Sequence, residues 1–295
     1  MRKQLAVFLV LAFGLSWLVA LPIWLGAGLA SPAAKGLAAV MMFTPTAGVL
    51  GVWALSRAPW RRWAAETGLT LGESKGRTGR YVLAAWLGVP LLIAVCAGLS
   101  TAVGLFPLDL DRFSLYRATL EAAGVRPPAD PGPALYLQIA IGVLAGPVLN
   151  AIPALGEEWG WRGWLLPRLS STYGAIGGLA LSGAIWGLWH APVTLLGYNY
   201  PSLGSWAALQ FIGFCVLAGI AVGWLRLRTG SVWPCVVAHG SLNAVLPAVL
   251  LLGDAAAPPD TAVSGLTGLV GWVPLALLCV ILLRTLRTRV PQPVA

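Results

Sequence analysis

Residues 81–105 read YVLAAWLGVPLLIAVCAGLSTAVGL, a run without one charged side chain. An α-helix rises 1.5 Å per residue and a hydrocarbon core is about 30 Å thick, so about 20 such residues suffice to cross a membrane. The stretch predicts a transmembrane helix. Comparable apolar runs lie on either side of it, at 5–29, 36–56, 134–156, 174–196, 205–225, 232–252 and 263–283. Composition agrees, with 58% hydrophobic and 10% charged residues and a mean hydropathy of +0.81, too little polar content to cover a soluble surface. The expectation is an all-α, polytopic bundle of about eight transmembrane helices, forming one membrane-embedded domain over 1–295. The first run follows Arg2 and Lys3 and is about 25 residues long, whereas a secretory signal core is about 7 to 15. It is therefore expected to remain as a span.

Cytoplasmic loops are enriched in Lys and Arg. With the N-terminus inside, the inner segments hold Arg2, Lys3, Arg57, Arg61, Arg62, Lys75, Arg77, Arg80, Arg162, Arg168, Arg226, Arg228, Arg284, Arg287 and Arg289, and the outer ones only Lys35, Arg112, Arg117 and Arg126. Fifteen against four predicts that both termini are cytoplasmic. The net charge of +9 is then accounted for by topology and by anionic lipid headgroups, and it gives no support to nucleic-acid binding.

Cys96, Cys215, Cys235 and Cys279 fall in different apolar runs with no CxxC spacing, the pattern of small buried hydrophobes. Among the tryptophans, Trp60, Trp63, Trp159, Trp161, Trp164, Trp206, Trp224 and Trp233 lie near expected span ends, where an aromatic belt would place them. The outer loop 106–133 is proline-rich and is expected to carry a short amphipathic helix near Phe113 to Ala123. The inner loop Arg57 to Arg80 reads as an interfacial segment on the cytoplasmic leaflet. No repeat of one half of the chain in the other is visible, which counts against an inverted-repeat transporter.

Chemistry concentrates in a core of about 134–252. Glu157 and Glu158 are the only acids outside polar loops, and the chain's two histidines, His190 and His239, sit in two other apolar runs. Carboxylates at bilayer depth are costly and usually face a protein interior or a wet cavity. Residues four apart share a helix face, so Glu158 pairs with Arg162, and His239 projects together with Asn243. Glu157 is rotated about 100° from Glu158 and is free to face a cavity that Asn150, nearly two turns earlier, also reaches. Taken singly, each has a plain structural reading: an interhelical hydrogen bond for each His, an ion pair for Glu158 and Arg162, helix packing for Asn243. Jointly, on three spans, they supply a base, two imidazoles and an amide donor. Those are the parts that hydrolysis of a peptide bond needs for activating water and holding an oxyanion. A cavity opening toward the cytoplasm is expected to reconcile the depths of the three helices.

The order Glu-Glu-x-x-x-Arg, aromatic-x-x-x-His and His-x-x-x-Asn resembles the CPBP intramembrane endopeptidases, the group that includes type II CAAX prenyl proteases and bacterial bacteriocin-processing or immunity proteins. The resemblance covers roughly Pro147 to Leu250. It implies Glu157 as the water-activating base, with Glu158 and Arg162 completing its motif, His190 as a second water-holding group, and His239 with Asn243 as oxyanion donors. One departure is Trp186, where phenylalanine is usual, and a larger ring narrows the cavity.

Glu157, His190 and His239 would also make up the three ligands of an open zinc site. Against zinc, the chain lacks an HExxH helix and ligation would consume the best base, so no cofactor is the favoured expectation. Arginine outnumbers lysine sixteen to three, a composition typical of a GC-rich bacterial genome. The expected setting is therefore a multi-pass protein of a bacterial inner membrane, acting on a membrane-associated peptide or protein rather than on prenylated substrates. Two other classes remain open, a non-catalytic membrane immunity or scaffold protein and a proton-coupled transporter.

Overall fold

The computed structural model describes residues 2–287, and Arg289 and the C-terminus, both expected to be cytoplasmic, lie outside the described residues. The chain runs through α1 (Arg2–Leu25), α2 (Ala34–Met41), α3 (Thr44–Ser56), α4 (Trp60–Glu66), α5 (Lys75–Ala102), α6 (Ser114–Ala122), α7 (Gly132–Leu144), α8 (Gly146–Leu149) and α9 (Ala151–Glu158). A π-helical segment, Trp159–Leu165, leads into α10 (Leu166–Trp189), followed by α11 (Ala191–Thr194), α12 (Ala207–Thr229), α13 (Trp233–Leu250) and α14 (Leu269–Arg287). Among the described residues there is no β-strand, only one isolated bridge between Leu108 and Gly253. The class is all-α, as expected.

Six helical stretches are long and apolar enough to cross a membrane: Arg2–Leu25, Ala34–Ser56, Lys75–Ala102, Pro201–Thr229, Trp233–Leu250 and Leu269–Leu286, with Gly132–Leu144 as a shorter apolar helix. Their outer faces carry exposed Val10, Leu91 and Leu277, the surface that lipid tails cover in an integral membrane protein.

The fourth and fifth expected spans depart from simple rods. Pro147 has no N–H to give the carbonyl of Val143, and the indole Nε1 of Trp86 donates to that carbonyl instead, at 2.8 Å. The run 134–156 accordingly breaks into α7, α8 and α9. The side-chain amide of Asn150 caps the break by donating to Gly146 O at 2.9 Å, so Asn150 serves the backbone and does not line the cavity. In α10, Gly174 adopts φ +72° and ψ 169°, a left-handed turn that folds Leu166–Tyr173 back on the rest.

The second limb of α10 then packs on α12 at very short range. A Cβ on Gly183 would lie 2.6 Å from Cys215 O, and one on Gly187 would lie 2.6 Å from Ile212 Cα. Small residues that let backbones approach are the usual means of joining helices in lipid, where no hydrophobic drive exists between them.

The two ends of the bundle differ in what they gather. At one end the loop 57–80 folds onto the helix ends: Val232 N donates to Gly68 O at 2.9 Å, Trp233 Nε1 to Leu69 O at 2.9 Å and Arg226 Nη2 to Glu66 O at 3.2 Å. Trp63 and Thr67 are buried there. This loop, expected to rest on the leaflet, is built into the protein by those hydrogen bonds. At the other end lie the α1–α2 connection, the loop 103–131 with α6 where an amphipathic helix was expected, and the loops 190–206 and 251–268, tied by Tyr200 Oη to Thr267 O at 2.8 Å.

The aromatic belt is a second correction. Trp63, Trp159, Trp161, Trp164 and Trp224 are buried inside the protein, while Trp60 and Trp206 are exposed. The π-helical segment carries its indoles inward, where Trp164 stacks on Phe8 with centroids 4.6 Å apart. The four cysteines are free and buried, consistent with their reading as small hydrophobes.

Candidate active site

Three pieces of chain bring the site together. The last turn of α9 and the π-helical segment supply Glu157, Glu158 and Arg162. The C-terminal end of α10 supplies Trp186 and His190, and α13 supplies His239 and Asn243. The π geometry is explicit in the bond from Leu166 N to Trp161 O, one residue longer than an α-helical bond. Such widened turns recur at functional sites, because they re-aim side chains without ending the helix.

Glu157, His190, His239 and Asn243 all line one cavity of about 420 Å³. Glu158 and Arg162 sit behind it, fully buried. Arg162 Nη1 donates to Glu158 Oε1 at 2.8 Å, the pair expected from their spacing. The same oxygen takes a hydrogen bond from His239 Nδ1 at 2.9 Å, a link across 81 residues that spacing does not reveal. Glu158 therefore joins the first motif to the third. Buried charges stay charged only when paired, and this acid neutralises the guanidinium while fixing the ring of His239.

Glu157 faces the other way, as the 100° rotation requires. Its Oε2 accepts a hydrogen bond from Trp186 Nε1 at 2.7 Å, and Oε1 has no hydrogen bond among the described residues. Trp186 is the functional side chain that the sequence reading missed. It was read there for its bulk, whereas its indole N–H holds the acid and its ring lies under the Arg162 guanidinium, 4.1 Å from the centroid. The signal lay in the residue type, since a buried indole N–H nearly always finds an acceptor.

His190 Nδ1 lies 2.9 Å from the backbone oxygen of Trp186. A carbonyl only accepts, so Nδ1 carries the proton and Nε2 is left with a lone pair in the neutral ring. Edge-on contacts with Trp189 at 4.6 Å and Phe211 at 4.7 Å fix the ring plane. Asn243, one turn beyond His239, makes no hydrogen bond among the described residues and is exposed on the cavity wall.

Among the described residues no three of His, Cys, Asp and Glu converge as a metal-ligand group. Glu157, His190 and His239 share the cavity without forming the compact set that zinc needs, and one oxygen of Glu157 is already taken by an indole. The donor set as arranged does not fit a zinc centre.

The cavity opens at the end that holds Lys35, Tyr198, Asn199 and Thr267. That is the end away from the loop 57–80, so the expectation of a mouth at the arginine-rich end is not met. The reason is helix polarity: along α13 the lining residues climb from His239 through Asn243 to Pro247, away from its N-terminus beside Leu69. A second hollow of about 540 Å³, almost wholly apolar, lies between α5, α12, α13 and α14. It shares Trp186, Phe214, His239 and Leu242 with the first, so these four side chains stand between the polar cavity and a lipid-side groove.

The segment 137–245, which contains all six motif residues, matches the family described as type II CAAX prenyl endopeptidase Rce1-like. The chain is also similar to CAAX prenyl protease 2 of Methanococcus maripaludis, 29% identical over 100 residues, which is 32% of this chain and 37% of that relative. The chain thus aligns with little more than a third of the relative's length. Because motif order and both matches coincide on the same helices, the chain belongs, through its segment 137–245, to the CPBP family of type II CAAX prenyl endopeptidases.

Proposed function

We propose that this protein is an intramembrane endopeptidase that hydrolyses a peptide bond of a membrane-associated polypeptide with a water activated by Glu157. The observation that carries the reading is the state of that carboxylate: one oxygen pinned by Trp186 at 2.7 Å, the other uncommitted, in a cavity that His190, His239 and Asn243 also line.

In this reading Glu157 Oε1 takes a proton from the water, whose oxygen attacks the carbonyl carbon. The lone pair on His190 Nε2 holds the second hydrogen of the water and sets its direction. The developing oxyanion receives hydrogen bonds from Asn243 Nδ2 and from Nε2–H of His239 in its imidazolium form, whose charge Glu158 balances through Nδ1 at 2.9 Å. Donors held in a water-poor site stabilise such an oxyanion far better than water does. When the C–N bond breaks, protonated Glu157 returns its proton to the leaving nitrogen, and the enzyme is restored. No step draws on a metal.

The apolar groove beside Trp186 and His239 suits the bilayer-embedded part of the substrate, while the polar cavity takes the extended peptide. The decisive experiment compares purified protein with its Glu157→Gln variant on a panel of membrane-tethered peptides. Cleavage by the wild type and none by the variant is the expected result. Equal turnover by both would remove Glu157 from the chemistry.

A further inference from the structure

We infer that the site is loaded from the non-cytoplasmic side of the membrane, so that its substrates are polypeptide segments lying outside the cytoplasm and tethered to the bilayer. The inference deepens the proposed peptidase reading and rests on it for the word substrate; the orientation of the cavity rests on geometry and charge alone.

Two independent observations combine. The first is the direction of the cavity. From Glu157 and Trp186 its wall runs through His190 and Val193 to Tyr198 and Asn199. Those last residues belong to the loop that meets the α1–α2 connection, since Trp24 Nε1 donates to Pro192 O at 2.7 Å. Lys35 stands at this mouth, exposed, as the one cation lining the cavity.

The second observation is the charge at the opposite end. There the loop 57–80 is bound to the start of α13 and the end of α12, and Arg168 lies over the Trp63 ring at 5.7 Å. Arg162 proves to be a buried site residue, and Arg287 and Arg289 can be set aside as well. Twelve of the fifteen inner cations of the charge tally still remain, against four at the mouth end. Lysine and arginine near span ends are retained on the cytoplasmic side. A bias of that size sets the arginine-rich end inside and the mouth outside.

The consequence is a restriction on substrate. A peptide bond is reachable only if it lies in a segment already delivered across the membrane, such as the outer part of an exported, membrane-anchored precursor.

Single cysteines test this directly, because the four native thiols are buried and leave a quiet background. Lys35→Cys at the mouth, Arg126→Cys in the 103–131 loop and Arg61→Cys at the far end are exposed positions outside the proposed machinery. Each is treated with a membrane-impermeant maleimide in right-side-out and in inverted vesicles of expressing cells. Labelling of Lys35→Cys and Arg126→Cys in right-side-out vesicles only, and of Arg61→Cys in inverted vesicles only, is expected. The reverse pattern, or labelling of Lys35→Cys from both sides, overturns the inference. A lipid-tethered peptide added to the same two vesicle types separates the two claims: if labelling runs as expected and neither type cleaves the peptide, the orientation stands and the peptidase reading falls.

Discussion

At the scale of single residues, the two adjacent glutamates carry different burdens. Glu158 answers two cationic partners, Arg162 and His239, in a fully buried position. Removing one partner of a buried charge cluster strands the others, at a cost of about 3 to 5 kcal/mol. Glu158→Gln is therefore expected to lower thermal stability in detergent strongly, whereas Glu157→Gln keeps the fold; matched melting curves for the two variants would contradict this division. Trp186→Phe keeps a ring under Arg162 but deletes the indole donor to Glu157. A hydrogen bond to a charged group is worth about 1.5 to 3 kcal/mol, so kcat should fall roughly ten- to a hundredfold with KM little changed, and wild-type kcat in this variant would show that the donor is idle. Asn243→Ala should also act on kcat, by about 10²- to 10³-fold if the amide holds the oxyanion. A change confined to KM would reduce Asn243 to a binding contact.

At the scale of elements, the site depends on how closely α10 meets α12. His190 follows directly on α10, and Gly187 one turn before the helix ends sits against the Ile212 backbone. Backbone has no flexible end to swing away, so Gly187→Ala forces the helices apart at an overpacking cost of about 1 to 3 kcal/mol. The expected outcome is a lower melting temperature together with reduced turnover, since Trp186 and His190 shift with α10; unchanged values of both would show that the interface yields elsewhere. The helices themselves were legible in the sequence because apolar length decides them. The breaks were less so. Pro147 announced a lost hydrogen bond, but the donor that replaces it, Trp86, comes from α5, 57 residues away along the chain. The same limit explains the tryptophans: a span end rich in indoles looks alike whether the rings face headgroups or, as for Trp161 and Trp164, the protein interior.

At the scale of the whole molecule, three helices converge on one polar cavity and share a partition of aromatic and histidine side chains with an apolar groove. If water and Glu157 do the chemistry, treatment with a chelator followed by dialysis should leave peptide cleavage nearly unchanged, and elemental analysis should find well under one zinc per chain. Zinc lost and regained in step with activity would reverse that reading. Sequence alone determined the all-α membrane class, the charge asymmetry, the Glu158–Arg162 pair and the six residues worth placing, because hydropathy, loop charge and four-residue spacing are local properties that survive without a fold. Only the tertiary structure decided that His239 shares the oxygen of Glu158 that Arg162 holds, that Trp186 pins Glu157, that Asn150 caps a broken helix, and which end of the bundle the cavity opens toward. Each of these joins groups far apart in the chain or fixes which way a side chain points, and such relations arise only when helices pack.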